Sequence, residues 1–258
     1  MTGYGKPEGN VKMSFSLENR LRELCENSRK NSTFYFTDFL SQADVSEVMR
    51  LFSKKEVTLF GGAEGTERMM ARFGDKEELG YEIPFPIVLL RIRLLQARFA
   101  DVLTHRDFLG ALMNLGIRRD VIGDIVVRED TSYLFVEEVM AEHIKKELTR
   151  VKHTSVSVEQ MTEIPEDVKP RFERENLIVS SLRPDLMVAK LYHLSRQAAK
   201  DIFVEGRVFL NSRLCTDPSA NVREGDVLSV RGFGKFVFCG TERETKKGNV
   251  SIAVDKYA

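Results

Sequence analysis

The chain has 258 residues with 39 basic and 39 acidic side chains, so its formal net charge is zero. This length allows two or three small domains, and 42% hydrophobic with 30% charged residues is typical of a globular protein with buried cores. Residues 183–258 hold 13 basic and 9 acidic side chains, a surplus of four positive charges that indicates a basic C-terminal end. The longest apolar run contains Arg91 and Arg93, which excludes a membrane span there.

Nothing in the sequence signals a cofactor, a metal or a secretory route. The three cysteines are far apart and form no CxxC pair, and the four histidines show no metal-ligand spacing. The N-terminus lacks the apolar core of a signal peptide, so we expect a cytoplasmic protein without a membrane partner or a small-molecule substrate. About the first 12 residues are polar and glycine-rich, and we expect them to be disordered.

The N-terminal block, residues 1–80, is predicted to be α/β. Leucines at helical spacing in "SLENRLRELCEN" predict a helix with Ser16 as its N-cap, and a second helix follows. The segment "EVTLFGG" predicts a strand, and "GTERMMARFG" predicts a helix that ends at Gly74. The loop between them resembles a phosphate-binding loop by position, but it lacks the lysine of that motif and carries Glu64. We therefore interpret it as a plain turn.

The central block, residues 81–180, predicts the element order β-α-β-β-α-β of a ferredoxin-like domain. The segment "FPIVLLRIRLLQ" predicts its first strand, and "THRDFLGALMNLG" a helix with Thr104 as N-cap, Asp107 in the first turn and Gly116 as its stop. "GDIVVRED" and "SYLFVEE" predict a strand pair, "VEEVMAEHIKKELTR" a helix and "HTSVSVEQM" the last strand. This plan hosts many functions, RNA binding among them, so it does not decide the function.

Arg91 and Arg93 share one face of the first predicted strand, because residues two apart point the same way. Solvated arginines on a half-exposed sheet are the favoured interpretation, since the aromatic signature of RNA-binding sheets is missing. The alternative is a sheet that faces RNA. With Arg118 and Arg119, these two arginines form a candidate second RNA contact.

The C-terminal block, residues 181–258, predicts two helices and a small sheet with a C-terminal strand extension. "PDLMVAKLYH" has proline and an acid in its first turn, and Ser195 is a good N-cap for a second helix. Arg196 and Lys200 lie one turn apart on the second helix, and Arg207 opens the next strand, in which we expect Phe209 to point outward. We call Arg196, Lys200 and Arg207 the basic ridge. Cations held by a rigid scaffold without a deep pocket suit phosphate binding.

This block resembles the alpha-L RNA-binding domain, also called the S-four type. The matching residues are "RPD" at 183–185, "LSRQAAKDIFVEGRVFLN" at 194–211 and "DPSANVREGDVLSV" at 217–230, followed by Arg231. Pro184 and Ser212 replace the usual leucine and turn glycine. Upstream, "TDFLSQAD", "FGGAEGTER" and "THRDFLGALMNLGIRRDVIGDIVV" resemble the YlmH family of bacterial RNA-binding proteins, as do "GFGKFVF" and "TKKGN" downstream.

The resemblance implies a non-enzymatic protein that binds ribosomal RNA and tRNA on the large ribosomal subunit in translation quality control, with a link to cell division. The alternative is an RNA-modifying enzyme, a pseudouridine synthase or methyltransferase, with an unfamiliar site in the N-terminal half. No catalytic constellation or glycine-rich cofactor loop supports it. The predicted RNA-binding residues are Arg183, Asp185, Lys190, Ser195, Arg196, Gln197, Lys200, Arg207, Asn211, Arg213, Arg231 and Lys235.

Overall fold

The structure is a computed structural model that describes residues 9–95, 102–245 and 248–257. The chain divides into two compact units, residues 1–169 and residues 170–258. Three antiparallel sheets and seven α-helices give these ranges a mixed α+β architecture, as the sequence predicts. None of the helices in the described ranges has the length and hydrophobicity that crossing a membrane requires.

The first unit opens with a small helical and sheet layer. Its elements are α1 (Gly9–Asn31), β1 (Tyr35–Phe36), α2 (Gln42–Leu51), β2 (Val57–Phe60), β3 (Met70–Phe73) and α3 (Lys76–Leu79). The strand order is β1-β3-β2. Leu21 of α1 and Val45 and Val48 of α2 are fully buried against Phe73. A reciprocal pair of bonds between Ser41 and Asp44 caps α2.

Two predictions for this layer are wrong. The helix expected in "GTERMMARFG" is instead the central strand β3, and all four of its residues are buried. A short strand that is buried on both faces shows no alternation, so its apolar residues imitate a helical pattern. Helix α1 begins at Gly9, which puts Ser16 inside it and residues 9–12 in its first turn. The rest of the segment expected to be disordered, residues 1–8, lies outside the described residues.

The central part of the first unit has the predicted order of elements. They are β4 (Ile87–Leu94), α4 (His105–Asn114), β5 (Ile122–Val127), β6 (Thr131–Glu137), α5 (Glu138–Glu147), a short β7 (Arg150–Val151) and β8 (Thr154–Met161). The strand order is β5-β6-β4-β8-β7. Thr104 and Asp107 cap α4 reciprocally, and Gly116 follows its end with a φ of 77°. Leu90 and Ile92 of β4 are fully buried on the sheet face that packs with α4 and α5.

The second unit is a six-stranded sheet with two helices on one face. Its elements are β9 (Phe172–Val179), α6 (Pro184–Leu191), α7 (Arg196–Val204), β10 (Val208–Leu210), β11 (Arg213–Leu214), β12 (Val227–Val230), β13 (Gly234–Glu244) and β14 (Val250–Tyr257). The strand order is β11-β10-β12-β13-β14-β9. Met187, Ile202 and Phe203 of the helices pack on Val208 and Phe236 of the sheet. Strand β9 lies within residues 81–180, the range predicted for the central block, but it pairs with β14 in this sheet.

Candidate nucleic-acid interface

A tight corner of four residues, 192–195, joins α6 to α7. Tyr192 ends α6, and His193 adopts a left-handed backbone with a φ of 53°. Ser195 Oγ then accepts a hydrogen bond of 3.1 Å from Ala198 N, which caps α7. Local backbone geometry and one side-chain cap therefore fix the direction of α7 and of the side chains on its exposed face.

Arg196 and Lys200 lie on the solvent face of α7, and both are exposed. Ala199, Ile202 and Phe203 are buried on the opposite face. In the part of the chain that the structure describes, neither cation has a carboxylate partner. Two uncompensated positive charges one helical turn apart, on a capped helix, form a rigid and accessible site for anions.

Arg207, the third member of the basic ridge, is largely committed to internal bonds. Its Nε and Nη2 donate to the carbonyl oxygen of Arg231 at 3.2 and 2.8 Å, and its Nη1 pairs with Glu205 at 3.0 Å. The guanidinium also lies over the ring of Phe233, 5.5 Å from its centroid. Arg207 therefore holds the turn between β12 and β13 in place, and only part of its charge faces solvent.

Arg183 and Asp185 form a structural ion pair at the start of α6. Two parallel bonds join them, Nε to Oδ1 at 3.0 Å and Nη2 to Oδ2 at 2.8 Å. The Asp185 side chain is buried, and its backbone N–H donates to the carbonyl oxygen of Pro218 at 3.3 Å. A buried carboxylate does not contact phosphate, so Asp185 instead anchors the start of α6. Its bonds to Arg183 leave that arginine only partly available for RNA.

The turn between β10 and β11 places Asn211 and Ser212 in left-handed conformations, with φ of 50° and 63°. Asn211 Oδ1 accepts from Val227 N at 2.9 Å, and its Nδ2 donates to Asp226 at 2.8 Å. The serine in place of the usual glycine is thus accommodated at positive φ, and Asn211 fastens the turn to β12. Its amide is occupied within the protein.

Phe209 lies on the sheet face opposite Val208 and Leu210, as predicted, but it is not open to solvent. Phe209 is fully buried, because the second face of the sheet is also covered where it lies. The guanidinium of Arg231 is centred 5.6 Å from the Phe209 ring, so the arginine both shields the ring and remains exposed.

The other predicted residues fall into two groups. Lys190 and Arg213 are exposed and have no carboxylate partner among the described residues. Gln197 donates to Asp201 at 2.8 Å, and Lys235 lies 4.3 Å from the ring centroid of Tyr257. Phe233 is exposed and is not among the predicted residues, and its signal in the sequence is an aromatic residue between two glycines.

The positive charge of the candidate second contact in the first unit is partly offset by carboxylates. Arg91 and Arg93 share Glu159, with Nε to Oε1 distances of 2.7 and 3.1 Å. Arg118 pairs with Asp120 at 3.0 Å. Arg119 donates to two backbone carbonyls, and burial together with the nearby positive charge of Arg68 lowers its pKa to about 10.

Part of this sheet face is also covered. Phe39 and Met70 from the N-terminal layer, and Val168 from a short 3-10 turn, form a buried cluster with Leu89 and Phe135 of the sheet. RNA-binding sheets of the RRM type stack bases on exposed aromatic rings, whereas here the Phe135 ring is buried in protein. Arg93 keeps half of its side chain exposed to solvent, and both Arg91 and Arg93 form ion pairs with Glu159.

The glycine-rich loop after β2 has a structural role in the first unit. Arg68 donates to the backbone carbonyls of Phe39, Ile122 and Arg119 at 2.8 to 3.0 Å. Asp124 accepts from the backbone N–H groups of Glu67 and Arg68 at 2.6 and 3.0 Å. A side chain at Gly62 would collide with the Phe135 ring. The loop thus joins the N-terminal layer to the central sheet.

Comparison with known proteins places this geometry in a family. Residues 82–164 match the family model described as "Putative RNA-binding domain in YlmH", and residues 184–228 match the S4 domain, the alpha-L domain of the sequence analysis. The ribosome-associated protein quality control protein P2 of Bacillus subtilis is 32% identical over 227 residues, covering 85% of this chain and 86% of that protein. The chain belongs to the YlmH family.

A solved structure is also similar to this chain. It is the cell division protein ylmH from Streptococcus pneumoniae, with 18% identity and a TM-score of 0.47, covering 62% of this chain and 95% of that one. Within residues 9–95, 102–245 and 248–257, no group of three or more His, Cys, Asp or Glu side chains is arranged to hold a metal ion. The predicted absence of a cofactor stays a prediction.

Proposed function

We propose that this YlmH-family protein is a non-catalytic RNA-binding protein whose second unit binds the phosphates of structured RNA. The observation that carries the proposal is the exposed pair Arg196 and Lys200 on α7, which has no carboxylate partner in the described part of the chain. The match of residues 184–228 to the S4 domain supports it. Lys190, Arg213 and Arg231 add further exposed positive charge in the same unit.

Phosphate contacts of this kind position a protein on RNA but carry no base sequence. Each contact releases bound counterions, so we expect affinity to fall steeply with salt. A few cations on one helix give weak binding alone. Specificity for one RNA then requires shape recognition and a second contact on the same chain.

We infer that the RNA is ribosomal RNA with tRNA on the large ribosomal subunit. The name of the Bacillus subtilis relative supports a role in ribosome-associated protein quality control. We also class the central domain, residues 81–180, as ferredoxin-like, since its element and strand order follow that plan. In the sequence this domain lies between the N-terminal block, residues 1–80, and the alpha-L domain, residues 181–258. We propose that it makes the second contact with RNA.

In that second contact the exposed Arg93 and Arg118 are the proposed RNA ligands. Each is paired in the free protein, with Glu159 and Asp120 respectively. Exposed ion pairs contribute little to stability, so phosphate can exchange with the carboxylates at small cost. Arg119 is bonded to backbone carbonyls and is a weaker candidate.

Sedimentation through sucrose gradients at moderate salt tests the proposal. We expect the full chain to travel with large ribosomal subunits, and more of it when those subunits retain peptidyl-tRNA. The double variant Arg196→Ala with Lys200→Ala should remain largely at the top of the gradient. A wild-type chain that stays at the top with every ribosomal particle would contradict the ribosomal assignment.

A further inference from the structure

The turn between β12 and β13 presents an aromatic ring beside the basic ridge. Phe233 is 37% exposed, and Arg207 of the ridge lies over its ring. Tyr192, which ends α6 just before the corner into α7, packs on the same ring at a centroid distance of 5.4 Å. We infer that Phe233 is a stacking platform for one unpaired RNA base. This inference rests on the proposed RNA-binding function.

The ring is held in a fixed position by its turn. Phe233 N donates to Val230 O at 2.9 Å, and Gly232 and Gly234 have φ of 88° and 130°, which residues other than glycine rarely adopt. A Cβ at Gly232 would lie 2.8 Å from Arg207 Nη2, so the turn is closed around that guanidinium. A pre-positioned ring loses little conformational entropy when a ligand binds.

The surroundings of the ring suit a nucleobase. Aromatic rings stack on the exposed face of any unpaired base, while nearby cations bind the adjoining phosphates. Phe233 has the exposed Arg231 two residues before it, and Arg207 of the ridge contacts its ring directly. A purely structural ring, which only shields Tyr192, would be replaceable by another large apolar side chain. Stacking requires an aromatic one.

The chain contains no tryptophan, so Phe233→Trp creates a single fluorescent reporter at the platform. The probe is a short RNA hairpin with one unpaired adenine, titrated into the full chain at low salt. Its controls are the same hairpin with an abasic site in place of that adenine, and a fully paired hairpin. We expect the adenine hairpin to quench the tryptophan emission, and the two controls to bind through their phosphates with little quenching.

The matched protein control is Phe172→Trp. Phe172 is 49% exposed and lies on β9, the edge strand of the same sheet, where it packs on Tyr257. We expect its emission to be the same with all three hairpins. Phe233→Leu should weaken binding of the adenine hairpin about tenfold relative to wild type. Phe233→Tyr should restore it, and thermal unfolding of both variants reports whether the turn still folds.

The outcomes distinguish failure of the proposed RNA-binding function from failure of the Phe233 platform. If the wild-type chain binds none of the hairpins and no ribosomal particle, the RNA-binding function fails and the platform falls with it. If the Phe233→Trp variant binds all three hairpins but its emission responds equally to each, the platform is wrong while the RNA-binding function stands. Equal binding of the adenine hairpin by a folded Phe233→Leu variant would also overturn the platform. Quenching that depends on the unpaired adenine supports it.

Discussion

In the central sheet and on α7, sequence spacing places two basic side chains on one face, but the two pairs have different environments. Arg91 and Arg93 are two residues apart on a strand, as Arg196 and Lys200 are four apart on a helix, and each spacing puts both charges on one face. In the sheet, both arginines pair with Glu159, which offsets one of their two positive charges. On α7 the charges remain uncompensated among the described residues. Periodicity therefore identifies a face, and distant residues decide whether its charge is available.

The largest expected effect comes from the opposite, buried face of α7. Phe203→Asp places a carboxylate in an apolar core, which costs several kcal/mol and should unfold the second unit. Limited proteolysis should then remove residues 170–258 and leave the first unit resistant. The matched control is Val204→Asp, because Val204 is 85% exposed on the same helix and should tolerate the charge. Equal resistance of both variants would contradict the packing of α7.

Arg68, a partly buried arginine of the first unit, should behave as a structural residue. Arg68→Ala leaves three backbone carbonyls without their donor, and we expect a loss of about 3 kcal/mol in the free energy of unfolding. Arg68→Lys should recover only part of it, since an ammonium cannot reach all three acceptors. Denaturant unfolding checks this, with the exposed Arg22→Ala as control. A change below about 0.5 kcal/mol in Arg68→Ala would contradict its role.

Arg207 combines both kinds of environment, so its substitution should change two properties. Arg207→Ala removes the bonds to Arg231 and Glu205, and we expect a loss of about 1 kcal/mol in unfolding free energy together with weaker RNA binding. Arg207→Lys should keep most of the affinity but not the stability, because lysine lacks the planar fork. Unfolding curves and RNA titrations on the same samples check this. If Arg207→Ala lowered only the unfolding free energy, Arg207 would be purely structural. If it lowered only the RNA affinity, Arg207 would be purely an RNA ligand.

Freeing the central arginines should give the smallest effect. Glu159→Gln removes the carboxylate that Arg91 and Arg93 share, and we expect a gain of less than about tenfold in RNA affinity at low salt. The control is Glu163→Gln, an exposed carboxylate without a partner among the described residues. Filter binding at several salt concentrations measures both. An equal gain in RNA affinity in the two variants would mean that only the change in net charge matters, and not the release of Arg91 and Arg93.

Local signals predicted much of the fold. The Thr104 and Asp107 cap, the shared face of Arg91 and Arg93 on β4 and the Ser195 cap of α7 all depend on neighbours in the sequence, and all are present. The errors occur where tertiary burial overrides a local pattern. Strand β3 is buried along its whole length, and Phe209 is covered on the sheet face expected to be open. Neither condition is visible from periodicity alone.

The candidate site divides in the same way. The exposed positions of Arg196 and Lys200 follow from helical spacing, and the sequence identified both. Arg207 bonds to the Arg231 carbonyl oxygen, Arg91 to Glu159 and Asn211 to Asp226. These three partners lie 15 to 68 residues away in sequence, so no local pattern could reveal them. The proposed role of Phe233 depends on the contact of its ring with Arg207, which precedes β10 and is distant in sequence. Spacing identifies candidate ligands, and the folded structure shows which are already bonded.

The salt dependence of RNA binding by wild type and by Arg196→Ala with Lys200→Ala tests the central claim most directly. Both residues are exposed and unpaired in the described chain, so the double variant should keep its unfolding free energy within about 1 kcal/mol. Two lost phosphate contacts should reduce the slope of log affinity against log salt by about 1.5 to 2. An unchanged slope and affinity in the folded double variant would contradict binding through α7.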